Sequence, residues 1–263
     1  MLKFLYAIKN YNNLIWQLLN VNLIVQYKKS YVSTFWIVFN PLFQVIIWSI
    51  LHFSGFVNPG DVKMPYLLYL TSGMTLWWFS FYLYENISTI FISNAGMILD
   101  NQFPKEVLII ECIIRQCIYY FFNLLFVILT MILYKVDFSF MSLLLPFFML
   151  PLIFFSVALG MFFSVIRILA LDIAMAFDKF LSLVLFFTPV LYAYQSGHPI
   201  MKNIIRFNPY SYMITLPRNI LILGTCNEYK LFFITLVISI ILLILSVAFF
   251  HKAENKVVEK IFL

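Results

Sequence analysis

Charge is scarce in this chain. Lys and Arg number 17 and Asp and Glu 11 among 263 residues, 11% charged in all, where an ordinary soluble domain carries about a quarter. That leaves too little polar chain to clothe a water-soluble domain. Glycine is scarce as well, and none of the seven sits in a GxxxxGK[ST] loop, so the chain has no phosphate cradle for ATP. Cys112, Cys117 and Cys226 form no CxxC pair and suggest neither a disulfide framework nor a metal set. His52, His198 and His251 show no HExxH or other ligand spacing, and no carboxylate pair stands out for acid–base work. The sequence therefore points to no cofactor of its own and to no enzyme. A cleavable signal is not expected either, because the first apolar run is interrupted by Lys9-Asn10 and Asn12-Asn13 and has no small-residue cleavage site.

What the chain has in quantity is apolar surface: 63% of its residues are hydrophobic and 20% aromatic. A membrane helix needs about 20 consecutive apolar residues to cross about 30 Å of hydrocarbon. Six such runs are present, at 32–53, 66–91, 107–133, 141–166, 177–194 and 230–250. The fold class expected is thus an all-α integral membrane protein with six transmembrane helices, a single transmembrane domain over residues 1–263. With both ends on the cytoplasmic side, eleven Lys and Arg fall inside and six outside, as the positive-inside bias requires. The net charge of +6 follows largely from that topology and does not argue for nucleic-acid binding.

Along the chain, Leu14, Leu18, Val21 and Val25 recur at helical spacing opposite Asn13, Gln17 and Asn20, so residues 1–29 predict an amphipathic helix in the inner interface or a plain anchor. In the second run Trp77, Phe81, Tyr84 and Glu85 fall along one side of a helix. Together with Trp36, Phe39 and Phe43 of the first run they are candidate walls of a pathway, and buried helix contact is the competing explanation. Residues 93–106 are too polar to span. Their first half, 94–102, predicts about two helical turns, ended by Phe103-Pro104. Exposed Met97, Ile98, Leu99 and Phe103 there would need a cover, from a partner or from the lipid interface. Glu111 and Arg115 are spaced for a local ion pair. In the fourth run Ser156, Gly160 and Ser164 allow close helix contact. Residues 197–224 predict two short helices, one opened by Pro199 and broken at Asn208-Pro209, the next bent at Pro217 before Arg218.

The passage Lys28-Lys29-Ser30 followed by Trp36 and Asn40-Pro41-Leu42 resembles the opening of the membrane subunits of ATP-binding cassette exporters for polysaccharides, the O-antigen, teichoic-acid and capsule permeases. Asn94-Ala95-Gly96 with Phe103-Pro104-Lys105-Glu106 is similar to the cytoplasmic coupling region of the same family, and Thr188-Pro189-Val190 to the end of its fifth span. The chain departs from the pattern at Val32-Ser33, where the family has Leu-Gly, and at Ile168 after Arg167, where it has Asp. The resemblance implies a homodimeric permease in the bacterial cytoplasmic membrane, with both termini inside and a separate ATPase subunit binding the ATP. Its cargo would be a polyprenyl-pyrophosphate-linked polysaccharide; the alternative is a drug or lipid exporter of the same fold. It also implies roles for particular residues. Lys28 and Lys29 would meet the lipid pyrophosphate or simply anchor the helix end, and Asn94, Met97, Leu99, Asp100, Phe103, Pro104, Lys105 and Glu106 would dock the ATPase. Pro199, Asn208, Pro209 and Arg218 would belong to re-entrant outer gate helices. A membrane transferase or protease would concentrate polar groups near one bilayer face, and a secondary transporter would carry ionisable residues through its spans. Apart from Glu85 the runs are nearly bare of them.

Overall fold

The computed structural model describes residues 2–29, 31–56, 60, 62, 64–98, 103–192, 199–225 and 228–262, with side chains at all of these but 2, 5, 25–29, 31–38, 40–42, 199, 201 and 254–262. Every regular element among them is helical, as expected where lipid offers the backbone no hydrogen-bond partners. In order these are α1 (Leu2–Asn10), α2 (Asn12–Lys29), α3 (Tyr31–Phe53), α4 (Tyr66–Ser88), α5 (Ile90–Ser93), α6 (Ala95–Ile98), α7 (Lys105–Leu133), α8 (Leu145–Phe148), α9 (Leu150–Leu169), α10 (Leu171–Val184), α11 (Pro199–Phe207), α12 (Pro209–Leu223) and α13 (Tyr229–Phe262).

Among the described residues three helical stretches are long and apolar enough to cross a membrane: Lys105–Leu133, Phe140–Leu169 and Tyr229–Ala253. Helix α4 has the length, 23 residues or about 35 Å, but a different composition. Its Thr71, Ser72, Thr75, Ser80 and Ser88 are buried, and their hydroxyls bond backbone carbonyls of the helix itself or, at Ser80, the hydroxyl of Ser156. This helix stands at the centre of the bundle, flanked by α3, α7 and α9, so lipid does not have to solvate it. The α4–α9 contact is close for the reason the small residues suggest: a Cβ built on Gly160 would lie 2.7 Å from Ile87 Cβ and 3.1 Å from the Tyr84 carbonyl. Ser80 and Ser156 meet one another at 2.6 Å.

The fifth run departs most from expectation. Instead of a helix over 177–194, α10 begins at Leu171, with only Ala170 between it and α9, and ends at Val184. One 3-10 turn, Leu185–Phe187, follows. Thr188 is extended, φ −115° and ψ 139°, because Pro189 disfavours a helical residue before it and supplies no donor itself. At the other end Asp172 lies in the first turn of α10, where a carboxylate favours a helix start.

The two ends of the bundle differ. One, the terminal end, holds α1, α5, α6, the start of α7, the α9–α10 junction and the last turns of α13, with the Phe4 ring 6.3 Å from His251. The other, the opposite end, holds residues 185–192 and α11–α12. At 34 residues, α13 is about 51 Å long, well beyond the ~30 Å of a hydrocarbon core. It packs along α9 and reaches the terminal end, where His251 meets Glu106.

Candidate functional site

The aromatic stripe of α4 divides. Trp77 and Tyr84 are buried, 2% and 0% exposed. The Trp77 ring lies 5.3 Å from Tyr210 of α12, and Tyr84 lies beside the stacked rings of Phe163 and Phe177, 6.1 and 5.8 Å away. Phe81 is half-buried against Trp78, while Glu85 is exposed. One residue is about 100° of helix, so Glu85 points well away from Tyr84 although both belong to the same coarse face. On α3, Phe39 is half-buried with its ring 6.2 Å from Phe126, and Phe43 is exposed. The side chain of Trp36 lies outside the described residues, as do those of Lys28 and Lys29. The structure thus brings Trp77 and Tyr84 into the bundle's interior and leaves Phe43 and Glu85 on its surface.

Behind Tyr84 is a polar cluster that sequence reasoning passes over. The Tyr84 hydroxyl donates to Asp178 Oδ1 at 2.6 Å. Arg167 Nη2 donates to both Asp178 oxygens at 2.8 Å and to Ser88 Oγ at 3.0 Å. Three helices, α4, α9 and α10, are joined at this point. With the fifth span expected to start at 177, Asp178 reads as its rim. Once α10 begins at Leu171 it is an ionisable residue two turns inside a helix, the situation that calls for a partner on a neighbouring element. The i, i+4 pair on α7 is also present, Arg115 Nε donating to Glu111 Oε1 at 2.8 Å.

After α4 the chain makes one turn, α5, which ends at Asn94. Of the expected helix over 94–102 the described residues show Ala95–Ile98 helical, as α6, and residues 99–102 lie outside the described residues. Asn94 donates its side-chain amide to the Ile90 carbonyl at 3.0 Å, while its own carbonyl accepts from the N–H groups of Met97 and Ile98. Met97 is exposed, 42%, as the sequence predicts. Ile98 is not; it is fully buried in the main core, because α6 directs it against the end of the bundle. Phe103 is half-buried against the same core. Leu99 and Asp100 lie outside the described residues. Pro104 caps α7 in an extended conformation, and Lys105 and Glu106 in the first turn are buried.

At the opposite end the unwound backbone after α10 would leave its carbonyls unfilled, and side chains from α4 and α12 fill them. Asn208 donates to the Phe187 carbonyl and to Thr188 Oγ1, both at 2.9 Å, and its Oδ1 accepts from Tyr210 N–H, which caps α12. The Pro189 carbonyl accepts from Tyr69 at 2.7 Å and from Arg218 Nη1 at 2.9 Å. Tyr66 donates to the Leu191 carbonyl and Tyr69 also reaches that of Tyr192. The Arg218 guanidinium lies 3.8 Å above the Tyr69 ring, a cation–π contact worth about 2 kcal/mol or more when dry. Asn208 and Arg218 therefore share one structure, the end of the fifth run. Pro209 follows Asn208 as the first residue of α12, and Pro199, whose side chain lies outside the described residues, opens α11. Helix α12 is largely buried, whereas α11 exposes Ile200, Ile204 and Phe207.

No protein-family model matches the chain. Two curated proteins do, both named O-antigen export system permease protein RfbA, from Klebsiella pneumoniae. They are 24% and 25% identical over 243 residues, 91% of this chain and 92% of theirs. The chain resembles O-antigen export permeases. Each match covers both proteins almost end to end, so the likeness to these permeases concerns a whole membrane unit rather than a shared fragment, and it agrees with the family read from the motifs at 28–42 and 94–106.

Proposed function

We propose that the chain is the transmembrane subunit of an ATP-driven exporter that moves a polyprenyl-pyrophosphate-linked polysaccharide across the bacterial cytoplasmic membrane. The observation that carries this reading is the near end-to-end similarity to two O-antigen export permeases. In this reading two copies face each other about a two-fold axis, the economical arrangement for a pathway wider than six helices can enclose. The terminal end is cytoplasmic. A separate ATPase docks on residues 94–106, where Met97 is exposed and an apolar side chain in water gains from a cover. Phe39, Phe43 and Glu85 border the pathway, since a carboxylate exposed on a membrane helix must face water or a partner rather than lipid. Lys28 and Lys29 meet the pyrophosphate by charge-assisted bonds. The cluster around Arg218 and Asn208, with α11 and α12, closes the exit.

Deletion of the chain's gene and complementation with variants test the reading. Loss of surface polysaccharide with lipid-linked polymer retained inside is the expected result, and complementation by Leu99→Asp, Phe103→Asp should fail while the ATPase no longer co-purifies with the inserted permease. Sensitivity to drugs with intact surface polysaccharide would instead make the chain a drug or lipid exporter.

A further inference from the structure

Both ends of the segment between α4 and α7 rest on one turn of α13. Phe91 in α5 stacks on Phe250, ring centroids 5.1 Å apart and planes 17° from parallel, and each ring is 1% exposed. On the far side of α6, Glu106 Oε1 lies 3.1 Å from Nε2 of His251, the next residue of α13. The other ring nitrogen, Nδ1, faces the Val247 carbonyl at 2.9 Å and donates to it, so Nε2 bonds the carboxylate as the donor of an imidazolium. Phe4 of α1 covers the same ring at 6.3 Å.

A helix of four residues such as α5 has no stiffness of its own, since one helical turn in isolation is not stable. Any rigidity of the segment must come from what it is fastened to. Connectivity alone fastens it to α4 and α7. The stacked rings and the Glu106–His251 contact add α13, a rod of about 51 Å, which packs along α9, the helix that α5 also touches directly.

We propose that Phe250 and His251 are positioning residues that clamp the two ends of the coupling segment, so that a displacement imposed by the ATPase is delivered to α13 and α9 as well as to α4 and α7. The proposal rests on the reading of residues 94–106 as the docking segment. Its physical part, the clamp, can be tested without any ATPase. In the permease alone, His251→Leu keeps an apolar group under Phe4 but cannot bond Glu106. Amide hydrogen exchange over residues 90–98 should then be about tenfold faster than in the parent, while α7 and α13 beyond the contact keep their protection. The reciprocal exchange Glu106→His, His251→Glu should restore the parent rate. Unchanged exchange in His251→Leu, or no restoration in the exchanged pair, overturns the clamp whether or not an ATPase binds.

The functional part is read in the complex. With the ATPase retained and hydrolysing, His251→Leu should lower polymer exported per ATP by about fivefold or more, the lower end of ordinary coupling strengths, and the exchanged pair should recover it. A clamp confirmed by hydrogen exchange but without this loss would show that the displacement bypasses α13 and would overturn the delivery role. Failure of the parent permease to bind an ATPase would reject the docking reading and the delivery role with it, and would leave the clamp to stand or fall on the exchange rates.

Discussion

Gly160 shows how much a single residue fixes. A methyl group there would press on Ile87 Cβ at 2.7 Å and on the Tyr84 carbonyl at 3.1 Å, so α4 and α9 approach as closely as they do only because the side chain is absent. Gly160→Ala should destabilise by about 1–3 kcal/mol, the usual cost of overpacking, against a gain of up to about 1 kcal/mol in helix propensity. Thermal unfolding in detergent measures the balance. Adding Ile87→Ala should recover part of the loss, and a single variant as stable as the parent would mean that the helices part freely. The role of Gly160 was legible in its spacing with Ser156 and Ser164. That of Asn208 was legible only in part: its place before Pro209 announces a break, yet the two groups its amide fills, on Phe187 and Thr188, belong to another element and leave no trace in the local sequence.

Among the elements, the α9–α10 hairpin depends on an ion pair that its own sequence does not advertise. Ala170 alone separates the two helices, and Arg167 and Asp178 hold them together while Ser88 and Tyr84 tie both to α4. Asp178→Asn leaves the buried guanidinium without its counter-charge, a change that costs about 3–5 kcal/mol where a buried pair is broken. Replacing both partners together, Arg167→Met with Asp178→Leu, should regain most of that stability, because two apolar side chains require no desolvation of charge. Equal stability of Asp178→Asn and the parent in the same unfolding assay would assign the pair no structural weight. The helices themselves were readable from apolar runs, and so was the elbow at Phe103-Pro104. The fifth run was misplaced because periodicity does not mark where a helix stops, whereas Pro189 does. The inward turn of Trp77 and Tyr84 was one of two readings the stripe allowed, pathway wall or buried contact: spacing tells which residues share a face, but not what that face meets.

For the molecule as a whole, the end of the fifth run sets a condition on how the chain is made. The Pro189 carbonyl is filled partly by Tyr69, which precedes it in synthesis, and partly by Arg218, which follows; the Phe187 carbonyl is filled only by Asn208 among the described residues. A nascent chain that has delivered residue 192 but not 218 therefore holds unfilled backbone acceptors, each of which would cost several kcal/mol in hydrocarbon. It should wait in a watery or chaperoned setting rather than partition fully into lipid. Stalled chains carrying Val190→Cys, extended by a linker that clears the ribosome, make the delay visible. When the chain ends at 207 the cysteine should react with a membrane-impermeant maleimide, and when it ends at 225 it should be protected, as befits a residue with no exposure in the finished protein. Equal protection at both lengths would mean that lipid accepts the fifth run early. If the difference is found, the release of this segment from the insertion machinery is timed by α12, and any damage to the Asn208–Arg218 stretch would appear first as a protein caught during its birth and cleared from the cell, before any defect in transport could be measured.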